Sequence, residues 1–172
     1  MRLTLRDRFR DQINGVLVDP WDTGLVVLAV SGGSDSTALM HLAAGSIDAA
    51  RLHVITVDHG LRDVADEVAL VAAQSEALGL KQSVLNWQGD GQGNLQAAAR
   101  IGRWAAIAKW AADQPADVCC MTGHTHDDQA ETVLMRLARG SGVVGLAGMQ
   151  TVGVTPTGLR ICRPLLQETR AD

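Results

Sequence analysis

Six consecutive residues, Ser31-Gly32-Gly33-Ser34-Asp35-Ser36, combine hydroxyls, paired glycines and one carboxylate. Adjacent glycines let a backbone curl until successive N–H groups converge on one anion. The preceding run, Leu25 to Val30, is apolar throughout, as in a parallel strand covered on both faces; Ser36 to Leu42 reads as the start of a helix. A helix N-terminus adds unpaired N–H groups and partial positive charge, and the three serines add hydroxyl donors. A plain Ser/Gly turn has a similar composition, but the buried strand before it and the helix after it favour a phosphate cradle. No lysine of the G-x-x-x-x-G-K-[ST] kind is present; Asp35 stands inside the loop instead. A carboxylate beside phosphates repels them unless a divalent cation lies between, so Asp35 argues for Mg²⁺.

A second cluster lies at His124-Thr125-His126-Asp127-Asp128-Gln129-Ala130-Glu131. Asp127 and Glu131 are one helical turn apart, and Asp128 shares a face with Glu131 at three residues' spacing. First-turn acids complement a helix dipole, which accounts for Asp127 and Asp128. Glu131 adds like charge at repelling distance, relieved by a shared cation or a basic ligand. His124, at a strand end, either donates to a ligand or serves as a structural hydrogen-bonder. Arg100 and Arg103 share a helix face, and spacing alone reads them as solvated; Trp104 and Trp110 on the same helix read as packing residues.

These clusters need a scaffold. The chain has 172 residues, 47% of them hydrophobic and 20% charged, which suits one domain with a sizeable core and excludes a disordered chain. Apolar positions Leu5, Phe9, Ile13 and Val16 give an opening amphipathic helix that stops before Pro20. Further strands are expected at 52–57, 81–87, 117–122 and 159–162. Helices are expected from Asp63, where that residue can serve as the cap, to Gly79, from Asn94 to about Ala112, and after His126, with a Gly-rich loop at 89–93. Strands alternating with helices predict an α/β fold: a doubly wound, mostly parallel five-stranded sheet with helices on both faces and its ligands at the strand carboxyl ends. The adjacent Cys119 and Cys120 would face opposite sides of a strand, and the three cysteines read as buried thiols in a reducing compartment. No apolar stretch is long enough to span a bilayer and no signal-peptide core opens the chain, so a soluble cytoplasmic protein is expected. The net charge of −4 weighs against a strong general pull on nucleic acid, although Arg136, Arg139, Arg160, Arg163 and Arg170 concentrate positive charge late in the chain.

Taken together, the segments Ser31–Ser36, Val57–Arg62, Asn94–Trp104, Gly123–Thr132, Arg136–Leu146 and Arg163–Leu166 resemble the PP-loop ATP pyrophosphatase superfamily, and within it the tRNA(Ile)-lysidine synthases. The first motif marks only the superfamily; the run from Gly123 to Met149 is much more specific. The resemblance implies a ligase using ATP and Mg²⁺. It adenylates the C2 oxygen of the wobble cytidine in tRNA(Ile) with a CAU anticodon, releasing pyrophosphate; L-lysine then displaces AMP through its ε-amine. It implies nucleotide contacts at Ser31, Gly32, Gly33, Ser34, Asp35 and Ser36, adenine beside Thr56 and Val57, and catalytic roles among Asp35, Asp128, Glu131, Arg100 and His124, with Asp35 and Glu131 as metal ligands. His59 and Arg62 would contact phosphate or RNA. Trp104 stands where the family has tyrosine, which removes a hydroxyl. Residues 1–172 are expected to form one catalytic domain, a truncation lacking the family's C-terminal tRNA-binding region; a homodimer is compatible. Another PP-loop enzyme, such as a tRNA thiolase or an amidating synthetase, is the nearest alternative, but the cysteines lack the C-x-x-C spacing of such thiolases. A non-catalytic nucleotide-binding module is the alternative from a different class.

Overall fold

The computed structural model describes residues 3–17, 24–58, 60, 64–87, 95–140 and 147–171. The expected cap Asp63, the expected loop at 89–93, His59, Arg62 and residues 141–146 of the Arg136–Leu146 segment lie outside these. The elements run α1 (Leu5–Val16), β1 (Leu25–Ala29), α2 (Ser34–Ala44), β2 (Leu52–Asp58), α3 (Ala65–Ala77), β3 (Lys81–Asn86), α4 (Leu95–Ala112), β4 (Val118–Thr122), α5 (His126–Ala138), β5 (Val152–Val154) and β6 (Arg160–Cys162).

The strands form one sheet in the order β3-β2-β1-β4-β6-β5, parallel except for β5 against β6. The expectation of five strands is therefore corrected to six. The missed strand, Val152-Gly153-Val154, is three residues long with a central glycine and pairs only at the sheet edge, too short to show a period.

Alternate residues of the apolar runs serve opposite layers. Val26 and Leu28 pack with Phe9, Ile13, Leu39, Met40 and Val71 from α1, α2 and α3. Val27 and Ile55 pack with Trp104 and Ile107 of α4. Cys119 and Cys120 divide between these two cores as expected, and all three cysteines are free and buried.

Successive strands are added on one side of β1 as far as β3, then on the other from β4 onward. The crevice between the carboxyl ends of β1 and β4 is thus the switch point at which open α/β sheets bind ligands. The PP-type loop leaves β1 there, and the His124 segment leaves β4 beside it.

Candidate active site

Backbone contact brings the two motifs together. A Cβ on Gly123 would lie 2.6 Å from the Asp35 carbonyl oxygen and 2.9 Å from the Ser36 Cα, so only glycine lets the β4 exit press against the start of α2. Gly32 turns the loop with φ +86°, a conformation other residues resist, and a Cβ there would meet Glu67 at 2.9 Å.

Inside the loop the three serines divide their work. Ser36 is buried; its hydroxyl donates to the Gly33 carbonyl at 2.9 Å and accepts from the Ser31 N–H at 3.2 Å. It therefore holds the loop's shape, while the Ser31 hydroxyl lies 3.3 Å from it. Ser34 is exposed and donates to Asp35 Oδ1 at 3.2 Å. Gly33 caps α2 without any side-chain hydrogen bond, leaving the first-turn N–H groups of Ser34, Asp35 and Ser36 for an anion.

An open cavity of about 540 Å³ lies at this crevice. Its lining includes the loop, Ile55 and Val57 from β2, Arg103 from α4, Thr122, Gly123, His124 and Asp128. Val57 stands in the cavity wall, whereas the Thr56 hydroxyl is turned to Gln82, 3.2 Å away.

Asp128 performs two tasks. Its Oδ2 accepts from the Thr125 N–H at 2.7 Å and from the Thr125 hydroxyl at 3.0 Å, fixing the first turn of α5. Its Oδ1 accepts from Arg170 Nη2 at 3.1 Å, and Arg170 Nε donates to Asp35 Oδ2 at 3.0 Å. One guanidinium therefore joins the loop carboxylate to the α5 carboxylate. Glu131 is exposed one turn further along and is not in the cavity lining. The carboxylate that Arg170 joins to Asp35 is Asp128.

The facing wall is cationic. Arg103 reaches the cavity and rests 4.9 Å from the Trp104 ring centre, so the tryptophan supplies a cation–π surface. Arg100 is exposed nearby. The buried Nε atoms of Arg103 and Arg163 have no hydrogen-bond partner among the described residues. Burial, followed by Arg163 and Arg103, pushes His124 down to about 4, so its imidazole is neutral at pH 7. Its Nδ1 lies 2.7 Å from the Thr122 hydroxyl. If that hydroxyl is the donor, Nε2 carries the proton and can donate to a ligand.

Sequence reasoning did not select Arg163 and Arg170 as site residues. Both follow β6, Arg163 opening the Arg163–Leu166 segment of the resemblance with no site role given to it, and they reach the site because β6 lies next to β4. The late cluster of arginines was the available signal.

Magnesium fits this donor set in one respect and is restricted in another. Asp35 and Asp128 already share one cation, and Mg²⁺ commonly takes one or two carboxylates plus phosphate oxygens and water. No group of three or more metal-type side chains occurs among the described residues, so an all-protein cage is absent there.

A family described as the PP-loop domain matches residues 5–172. The tRNA(Ile)-lysidine synthase of Bradyrhizobium sp. strain BTAi1 is 47% identical over 156 residues, covering 87% of this chain and 43% of the relative. That of Ruegeria pomeroyi is 48% identical over 147 residues, covering 83% and 35%. That of Nocardia farcinica is 42% identical over 167 residues, covering 95% and 49%. The chain thus spans half or less of the length of these relatives. Among solved structures, an NH3-dependent NAD synthetase from Campylobacter jejuni is similar, with TM-score 0.62 and 13% identity over 96% of this chain and 67% of that one. A glutamine-dependent NAD+ synthetase from Acinetobacter baumannii, in complex with ADP, has TM-score 0.55 and 14% identity, covering 84% and 28%. At such identities these two speak for the fold alone. With a family match across nearly its whole length and the glycine-rich loop at the switch point of its sheet, the chain belongs to the PP-loop domain family.

Proposed function

We propose that this chain is the ATP-binding, adenylating domain of a tRNA(Ile)-lysidine synthase. The observation that carries the reading is the junction of the PP-type loop and the first turn of α5 around one cavity, with an acidic side at Asp35 and Asp128 and a cationic side at Arg103. The relatives at 42–48% identity carry that enzyme name.

In this reading the N–H groups of Ser34, Asp35 and Ser36 hold the terminal phosphates of ATP and stabilise pyrophosphate as it leaves. Asp35 would hold Mg²⁺, which neutralises charge on the phosphates and the leaving group. Val57 borders the adenine, with backbone groups near Thr56 and Val57 reading its edge. The C2 oxygen of the wobble cytidine attacks the α-phosphorus, forming the adenylate. The ε-amine of L-lysine then attacks C2, AMP departs, and an acidic group, Asp128 or the exposed Glu131, holds the ammonium beforehand or takes up its proton. Arg103 and Arg100 face anionic parts of the substrates, and neutral His124 donates a hydrogen bond without adding charge. The reaction belongs to the cytoplasm, where tRNA is modified; among the described residues no helix is long and apolar enough to cross a membrane.

The test is nucleoside mass spectrometry on tRNA(Ile) carrying a CAU anticodon, incubated with the full-length protein, ATP and lysine. Conversion of the wobble cytidine to lysidine is the expected result. ATP–pyrophosphate exchange that depends on a different acceptor, or ATP binding without turnover, contradicts the reading.

A further inference from the structure

The Asp35–Asp128 pair is bridged by a cation that belongs to the chain itself. Arg170 Nε and Nη2 contact the two carboxylates at 3.0 and 3.1 Å, and its backbone N–H donates to Asp127 Oδ2 at 2.9 Å. The neighbouring carboxylates, hydrogen-bonded Asp35 first, raise the guanidinium's pKa, so its charge persists. Both oxygens of Asp35 are engaged, Oδ1 by Ser34 and Oδ2 by Arg170. A divalent cation requires a carboxylate oxygen at about 2.0–2.1 Å if it is Mg²⁺, and two cations on one oxygen repel. The Arg170 side chain is half exposed, and its backbone contact to Asp127 does not depend on where the guanidinium points. It can therefore leave Asp35 without detaching its segment from α5.

We propose that Arg170 is the resident counter-cation of the Asp35–Asp128 pair and that a divalent cation arriving with the nucleotide displaces it from Asp35. The proposal rests on the nucleotide-binding reading above. Through this one side chain, loading of the loop is felt at the first turn of α5, where the second substrate would be handled. An arginine serving only as a staple would act in the opposite direction: its removal would splay the two carboxylates and weaken metal binding.

Mn²⁺ with ADP is the probe, and binding is followed by the paramagnetic signal of free Mn²⁺ in the full-length protein. Arg170→Met is expected to bind Mn²⁺·ADP about two- to five-fold more tightly than the wild type, the scale of losing one exposed ion-pair competitor. Arg170→Lys keeps the charge but not the two-pronged reach, and is expected to fall between them. In the unsubstituted protein, the Arg170 Nε–H resonance should shift on adding Mg²⁺·ADP and not on adding ADP alone. Unchanged or weaker Mn²⁺ binding in both variants, or an Nε–H signal indifferent to Mg²⁺·ADP, overturns the displacement while leaving nucleotide binding intact. Failure of wild type and variants alike to bind Mn²⁺·ADP overturns both readings. If Arg170→Met does not fold, the lysine variant and the resonance decide.

Discussion

In the proposed function the chemistry turns on Asp35, the only carboxylate within Ser31–Ser36. Asp35→Asn is expected to lower lysidine formation by about 10²–10³-fold, the scale of removing one well-placed electrostatic contact, with little change in thermal stability. A variant retaining wild-type turnover would displace Asp35 from the mechanism. His124 gives a prediction in pH. Its folded pKa, about 4, lies below the ordinary 6.5, so between these values the unfolded chain binds a proton that the folded chain does not. Stability is then full above pH 6.5 and declines as pH falls towards 4. His53, also lowered chiefly by burial, adds to the same slope. Urea unfolding at pH 7 and pH 5 should show the loss, and His124→Asn should reduce it; an unaltered slope would mean that the imidazole is protonated in place. The serines and Asp35 were legible in the sequence because they share one short motif. The inward donation of the Ser36 hydroxyl was not, since it depends on how the loop curls.

Elements place these residues through two close fits. Gly123→Ala would drive a Cβ into the backbone at Asp35 and Ser36, neither of which is a flexible side-chain end. The expected outcome is a loss of nucleotide affinity together with a lower Tm, measured by calorimetry and thermal unfolding; an unperturbed variant would show that the two loops need not touch. Thr125→Ala removes the hydroxyl contact that helps set the first turn of α5. It should cost about 0.5–2 kcal/mol of stability, the usual range for a lost cap, and leave Asp128 less well oriented. A helix after His126 is expected from the sequence, with its first-turn acids as dipole partners. That Asp128 also braces Thr125 needs the turn geometry, which a spacing argument does not contain. The edge strand β5 was missed for a similar reason: its partner β6, not its own three residues, makes it a strand. Gln129 shows the same dependence on context, its amide bonding both Met149 backbone groups at 2.6 and 2.8 Å and tying α5 to the chain ahead of β5.

Across the whole molecule, the segment after β6 straps the first helix to the site. Buried Glu168 accepts from Arg8 Nε at 2.9 Å and from Nη2 at 2.6 Å, while its carbonyl accepts from the His126 N–H at 2.8 Å. Arg8→Met leaves that carboxylate without these donors and should cost about 1–3 kcal/mol, seen as a lower urea midpoint. An unchanged midpoint would assign the strap no role in stability. Such contacts across 160 residues have no trace in local pattern, whereas alternation of buried strands and amphipathic helices is repeated along the chain; the α/β class was therefore readable and the strap was not. A second hollow, at the amino ends of the strands and lined by Ala108, Ala111 and Asp117 among others, offers a ligand a rival position at the far end of the sheet. The decisive measurement is a crystal structure of the full-length protein with Mg²⁺ and a non-hydrolysable ATP analogue. The account predicts terminal phosphates on the N–H groups of Ser34 to Ser36, with the α-phosphorus open towards Asp128 and Arg103. An analogue seated in the far hollow, or one whose phosphates leave the α2 N-terminus untouched, would contradict it.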